Sequence, residues 1–291
     1  MIYCSQLMPQ PCIKHRLQST SPDRSPTERR SGTKTTCPIV LVHGLAMKSL
    51  PVLRAFGRID SVLRGQGYTV FVSRIDGFGA VETNAAQLKE EIESILSRTG
   101  AEKVNVIAHS KGGLDAKYMI TSLGMAERVA SLTTLCTPHA GTPIASFILR
   151  FPPFLLRLAA FWIDLFYRAA GDRQPDSLTA CRQLQRSGDN AEEMPGGVFC
   201  QSFSSAITDR EKHTDFVMGI PALLSRIIEK NSATDGLVPR DSAVFGQYRG
   251  DCIDGSVSHT EIIDFMVRNK YRERIFAFYL KLCEELASMG F

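Results

Sequence analysis

The chain has 291 residues, 44% of them hydrophobic and 22% charged, enough for one large buried core or two small ones. That balance is ordinary for a globular protein and excludes a fibrous or low-complexity chain. A net charge of +4 is too weak to make nucleic acid the main partner.

Eight cysteines, at positions 4, 12, 37, 136, 181, 200, 252 and 283, form no CxxC pair and no zinc-spaced Cys/His cluster, so they read as reduced, partly buried thiols. The first 18 residues lack the apolar core of a signal peptide, which makes a cytoplasmic location the expectation. Residues 13–36 are rich in Ser, Thr, Pro and Arg and have little to pack, so 1–36 is expected to be a mobile tail. A single folded domain should then occupy 37–291.

Within that domain the pattern alternates. PIVLVH (38–43) is a short β-branched run suited to a strand buried on both faces. Helical spacing follows over 52–65, then a strand at 68–73 and an amphipathic helix over 83–98 that Gly100 stops. A strand at 103–108, a helix over 112–123 and a strand at 129–136 continue the series, and 197–204 is a later strand. Residues 261–268 and 271–287 read as closing helices. This order predicts an α/β fold, a mostly parallel central sheet with helices on both faces. Ligand sites in such sheets lie at the carboxyl ends of the strands, where this chain has HGLAM (43–47), HSKGG (109–113) and TPHAGTP (137–143).

Residues 144–195 interrupt the rhythm. The stretch 144–171 is very apolar and contains the lone tryptophan, Trp162. Arg150, Arg157, Asp164 and Arg168 punctuate it, and Pro152-Pro153 breaks a helix, so a transmembrane span is disfavoured. A helical cap over the site, or an ordinary buried helical insert, are the two readings.

The chemistry concentrates at Ala108-His109-Ser110-Lys111-Gly112. A serine hydroxyl is a poor nucleophile unless a base adjoins it, and a strand-to-helix elbow lifts its oxygen clear of the sheet. Such elbows read G-x-S-x-G; here alanine takes the first glycine's place and keeps the site small. A plain helix N-cap is the bland alternative for Ser110. The tetrahedral intermediate of acyl transfer needs two backbone N–H donors. Lys111, next after the serine, and Leu45, in the loop after the first strand, are the candidates.

Histidines are few enough for elimination. His15 lies in the tail, His43 and His109 in the oxyanion loop and elbow, His139 after a strand, and His213 before the acid candidate. His259, in GSVSHTEIIDF, is left as the base. Asp235, in SATDGLVP, is the leading acid and is expected to precede a short strand; Asp241, Asp251 and Asp254 are its rivals. An Asp-Gly turn would also explain Asp235.

Five segments in order, PIVLVHGL (38–45), VNVIAHSKGGLDAKYM (104–119), LTTLCTPHAGTP (132–143), TDGLVP (234–239) and SHTEIIDF (258–265), resemble the bacterial triacylglycerol lipases of the α/β-hydrolase superfamily. The resemblance implies an α/β-hydrolase fold with a helical lid or cap at about 144–195. It implies a serine ester hydrolase acting on acylglycerols or other acyl esters, with Ser110 as nucleophile, His259 as base and Asp235 as acid. Leu45 and Lys111 would supply the oxyanion hole. No cofactor is required, although relatives' structural calcium would map to Asp215 and Glu261. Acyltransferase or thioesterase chemistry on the same triad, and a non-catalytic lipid-binding protein at a membrane surface, are the alternatives.

Overall fold

The computed structural model describes residues 34–47, 54–186, 194–207, 227–228, 233–265, 267 and 269–291. By contacts the chain divides into residues 1–32 and 33–291, and everything described belongs to the second unit. The expected tail therefore lies almost wholly outside the described residues. Contacts of the domain begin slightly before Cys37: Lys34 sits over the Tyr68 ring at 4.6 Å, and the Thr36 N–H donates to the Phe291 carbonyl at 2.9 Å.

The described strands form one parallel sheet in the order β2-β1-β3-β4-β5-β6. They are β1 (Ile39–Val42), β2 (Val70–Val72), β3 (Val104–His109), β4 (Val129–Leu135), β5 (Phe199–Ser204) and β6 (Gln247–Asp251). Consecutive residues of β1 serve opposite faces, as a strand's period of two requires. Ile39 and Leu41 join α1 (Ile59–Gly65) and the last helix, α7 (Asn269–Ser288), in one core. Val40 and Val42 join α2 (Val81–Thr99) and α3 (Lys111–Ser122) in the other. Each layer buries apolar surface that neither sheet nor helices could cover alone, at about 25 cal/mol per Å².

Several expectations shift. The helix read at 52–65 begins only at Ile59, and residues 52–53 lie outside the described ones. The strand β6 went unread because QYRGD is polar and half-exposed; as an edge strand it has no two buried faces to betray it. The described residues of 261–268 do not make an α-helix. Glu261–Ile263 is a 3₁₀ turn ended by Asp264 in the left-handed region, at φ 57°. The GLVP segment after Asp235 is a loop closed by a bridge between Thr234 and Pro239.

The insert holds α4 (Pro143–Ile148), α5 (Pro153–Ala169) and α6 (Ser177–Gln183). Pro152-Pro153 separates α4 from α5, with Pro153 at the first helical position, where its missing N–H costs nothing. The buried-insert reading is overturned: in α5 only Ala160 is buried. Phe154 is 69% exposed and Phe166 63%. Apolar composition cannot tell an inward helix from an outward one, and here the helix lies on the surface. No described helix is long and apolar enough to cross a membrane.

Candidate active site

Ser110 joins β3 directly to α3 with φ 54° and ψ −134°, a conformation that costs a non-glycine residue free energy and persists only when its surroundings enforce it. The Ser110 N–H donates to the Leu135 carbonyl at 2.9 Å, and its own carbonyl accepts from Gly113 N–H at 3.0 Å. The small neighbours have a steric cause. A Cβ on Gly112 would lie 2.4 Å from the His43 carbonyl oxygen, and one on Gly44 would lie 2.5 Å from Ser110 Cβ. These glycines let the oxyanion loop and the start of α3 close around the serine.

The three expected side chains meet. Ser110 Oγ lies 2.8 Å from His259 Nε2, and His259 Nδ1 lies 2.7 Å from Asp235 Oδ2. A carboxylate on one side selects the Nδ1–H tautomer, which leaves the Nε2 lone pair facing the serine O–H. The other carboxylate oxygen, Oδ1, accepts from Leu237 N–H at 2.9 Å and Val238 N–H at 2.8 Å. Asp235 is thus both turn former and histidine partner, one oxygen for each. The His259 N–H also donates to the Asp235 carbonyl at 2.9 Å, so two hydrogen bonds lock the loops together.

None of the rival acids is near. Asp241 pairs with Arg186 at 2.7 Å on the surface, Asp251 is held by Arg240 and Ser204, and Asp254 is exposed. The N–H groups of Leu45 and Lys111 have no hydrogen-bond acceptor among the described residues.

Residues beneath the site were not read from sequence. The Lys111 side chain is 1% exposed and its Nζ lies 2.6 Å from Asp115 Oδ1. Asp115 also accepts from Asn84 Nδ2 at 3.1 Å. Burial pushes the Asp115 carboxyl up to about 6, against the pull of Lys111. The spacing Lys-x-x-x-Asp was a signal for this i,i+4 pair, though not for its burial.

His109, at the elbow, also reaches the base: its Nε2–H donates to the His259 carbonyl at 2.9 Å, with the two rings 4.5 Å apart. Burial, then the nearby His259, holds its pKa well below the usual range. His43 is lowered by burial as well. Burial takes His139, stacked on Phe245 at 4.4 Å, down to about 3.

Glu261, expected as a calcium ligand, accepts from Ser258 N–H at 3.0 Å while its own N–H reaches Ser258 Oγ at 3.4 Å. This reciprocal pair is the S-x-x-E capping arrangement, legible in SHTE, and it braces the His259 loop. Asp215, the other residue expected to bind calcium, lies outside the described residues. Ligand atoms of Cys136, Asp235 and His259 lie within 4.8 Å of one another, but the carboxylate and imidazole are already bonded to each other. The Cys136 thiol is pushed well up by its contact with Cys252, by burial and by Asp235.

Strand-to-helix serine, carboxylate and histidine, in that chain order, are the arrangement of the serine hydrolases of this sheet architecture. A family model described as alpha/beta hydrolase fold matches residues 38–172. Triacylglycerol lipase 2 of Saccharomyces cerevisiae is 27% identical over 265 aligned residues, covering 80% of this chain and 73% of its own. A triacylglycerol lipase of Pseudarthrobacter phenanthrenivorans is 38% identical over 119 residues, 39% of this chain; the match spans only 37% of that relative's length. Among solved structures, a metagenomic carboxyl esterase superposes with a TM-score of 0.68 at 19% identity, covering 91% of this chain and 81% of that one. The chain has the α/β-hydrolase fold, is similar to triacylglycerol lipases, and is a carboxylic ester hydrolase.

Proposed function

We propose that the enzyme cleaves acyl esters of lipids, acylglycerols among them, through an acyl-enzyme on Ser110. The observation that carries this reading is the unbroken hydrogen-bonded series Ser110–His259–Asp235, at 2.8 and 2.7 Å. Ser110 Oγ attacks the ester carbonyl carbon as its proton passes to His259 Nε2. Asp235 stabilises the imidazolium without taking the proton. The carbonyl oxygen becomes an oxyanion facing the N–H groups of Leu45 and Lys111. Collapse breaks the carbon–oxygen bond, and His259 returns its proton to the leaving alcohol. Water then attacks the acyl-enzyme, gives a proton to Nε2, and the carboxylic acid leaves as Ser110 regains its own. Every step uses groups of this chain. A calcium held by Asp215 and Glu261 would act only by stiffening the His259 loop.

The lipid part of the reading rests on α5, the lid or cap of the site. Phe154, Leu158, Phe161, Trp162 and Phe166 are all more than half exposed, and Arg150, Arg157 and Arg168 punctuate the segment. An amphipathic surface of this kind suits the boundary of a lipid interface, with arginines meeting anionic head groups. The described cysteines are free thiols, which fits a reducing, cytoplasmic location. Similarity to triacylglycerol lipases supports acylglycerol as the substrate class.

The test is a p-nitrophenyl ester series from acetate to palmitate, on wild type and Ser110→Ala, with mass spectrometry after a fluorophosphonate. Ser110-dependent turnover and one adduct on Ser110 are expected. Absence of both from the folded protein, with detergent present, would overturn the reading in favour of lipid binding alone. An alcohol or thiol acceptor outcompeting water would turn it toward acyl transfer.

A further inference from the structure

The oxyanion loop is not held by the sheet alone. Beyond Leu45 the chain passes through Ala46 with φ 61°, a left-handed conformation that an alanine adopts only under constraint. Both polar groups of Ala46 are tied. Its N–H donates to the Gly77 carbonyl at 2.8 Å, and its carbonyl accepts from the Tyr167 hydroxyl at 2.8 Å. Tyr167 lies on α5, more than a hundred residues away in sequence, and its ring packs edge-on against Phe78 with centroids 4.5 Å apart.

Gly77 makes that approach possible. A Cβ there would lie 2.7 Å from Tyr167 Cε1, closer than real side chains come. Further bonds hold the same end of the insert. Asp76 accepts from the N–H groups of Arg173 and Gln174, both at 2.7 Å, and Asp172 accepts from Phe78 N–H at 3.1 Å. The C-terminal end of α5 is therefore fastened to the loops that flank the serine, while its apolar length projects outward.

We propose that Tyr167 is a positioning residue for the reaction: its hydroxyl holds Ala46 in the left-handed conformation that aims the Leu45 N–H at the oxyanion, and so couples the seating of α5 to transition-state stabilisation. This rests on the ester-hydrolase reading above. Tyr167 touches no reacting atom, so its effect passes through Leu45.

The experiment compares wild type, Tyr167→Phe and Gly77→Ala on p-nitrophenyl butyrate, a short ester that needs no lipid surface. A trifluoromethyl ketone that forms a tetrahedral adduct on the serine serves as oxyanion probe. Tyr167→Phe should lower kcat about tenfold, the scale of one hydrogen bond and less than the loss of an oxyanion donor itself. KM should change less than about twofold, and the ketone's inhibition constant should rise in step with the loss in kcat. Gly77→Ala keeps the hydroxyl but displaces the ring, and should show the same pattern; the double variant should be no worse than the weaker single.

Unchanged kcat and ketone affinity in a folded Tyr167→Phe protein would overturn the proposal. So would a loss confined to KM, or one seen only with long-chain esters, since either would place the hydroxyl in substrate entry. Ser110→Ala is the control on the underlying reading. Without Ser110-dependent turnover in wild type both inferences fall, whereas normal turnover with an unaltered Tyr167→Phe removes only this one.

Discussion

The elbow around Ser110 and the helix α5 are built by opposite rules. Around the elbow the sheet is closed: β3 is buried along its whole length, and even the lysine beside the nucleophile is buried with its partner. On α5 large apolar side chains stand in the open, Trp162 at 61% exposure. A strained serine keeps its geometry because tight packing leaves it no alternative. A surface helix needs only a few fixed points, and α5 has them at Ala160, Asp164 and Tyr167. Precision is concentrated where bonds are made and broken. Apolar area is left exposed where a substrate phase would be met.

Substitutions at the elbow should be costly and those on α5 cheap for folding. The largest expected effect is on rate. Ser110→Ala or His259→Ala should lower kcat on a soluble ester by at least about a thousandfold, since the members of such a triad act as a unit. Residual activity within tenfold of wild type would mean a different nucleophile.

Next comes the buried pair. Lys111→Met leaves the backbone N–H in place but strands the Asp115 carboxylate, and should destabilise by about 3–5 kcal/mol in urea unfolding. Lys111→Met combined with Asp115→Leu should recover part of that loss; if the double variant is the worst of the three, the pair is not an isolated ionic unit.

The buried histidines predict a pH effect of known sign. His139 has its pKa lowered to about 3, so in acid the unfolded chain takes a proton that the folded chain refuses. Its contribution is fully present above about 6.5 and is lost as pH falls toward 3. From pH 7 to pH 5 this amounts to roughly 2 kcal/mol, read as a narrowing of the stability gap between wild type and His139→Gln. His43 and His109 act in the same direction. The raised carboxyls of Asp115 and Glu91 act in the other, which is why the difference between two proteins, not the total slope, is the measurement.

Phe166→Ser and Trp162→Ser should leave unfolding free energy within about 0.5 kcal/mol, yet weaken binding to anionic phosphatidylglycerol vesicles about tenfold. Equal loss of stability would show that α5 is core after all. The smallest effect belongs to Asp241→Asn, on a surface ion pair worth less than about 1 kcal/mol; kcat should not change.

Much of the elbow was legible because its demands are local. A buried strand, a small residue, a serine and two glycines stand side by side, and the steric reason for each lies within a few residues or in the adjoining loop. His259 emerged by elimination, since histidine is rare here. Asp235 leads Asp241, Asp251 and Asp254 in the sequence because it stands in turn chemistry before an apolar run, in TDGLVP. Its distinction is that one oxygen is used by its own turn and the other faces a loop 24 residues away. Glu261 illustrates the converse: SHTE carries a capping signal, and the carboxylate serves the Ser258 N–H.

By itself the sequence determined the alternating α/β order, the elbow and the candidates for its nucleophile, acid and base, because backbone torsion, strand pattern and scarce residue types act over short distances. Tertiary structure alone decided that Lys111 is buried with Asp115, that Tyr167 reaches Ala46, and that α5 faces outward. Those outcomes depend on what packs against what in three dimensions, whether the partners are four residues apart or 121. An apolar helix has the same composition whether it turns toward a core or toward lipid.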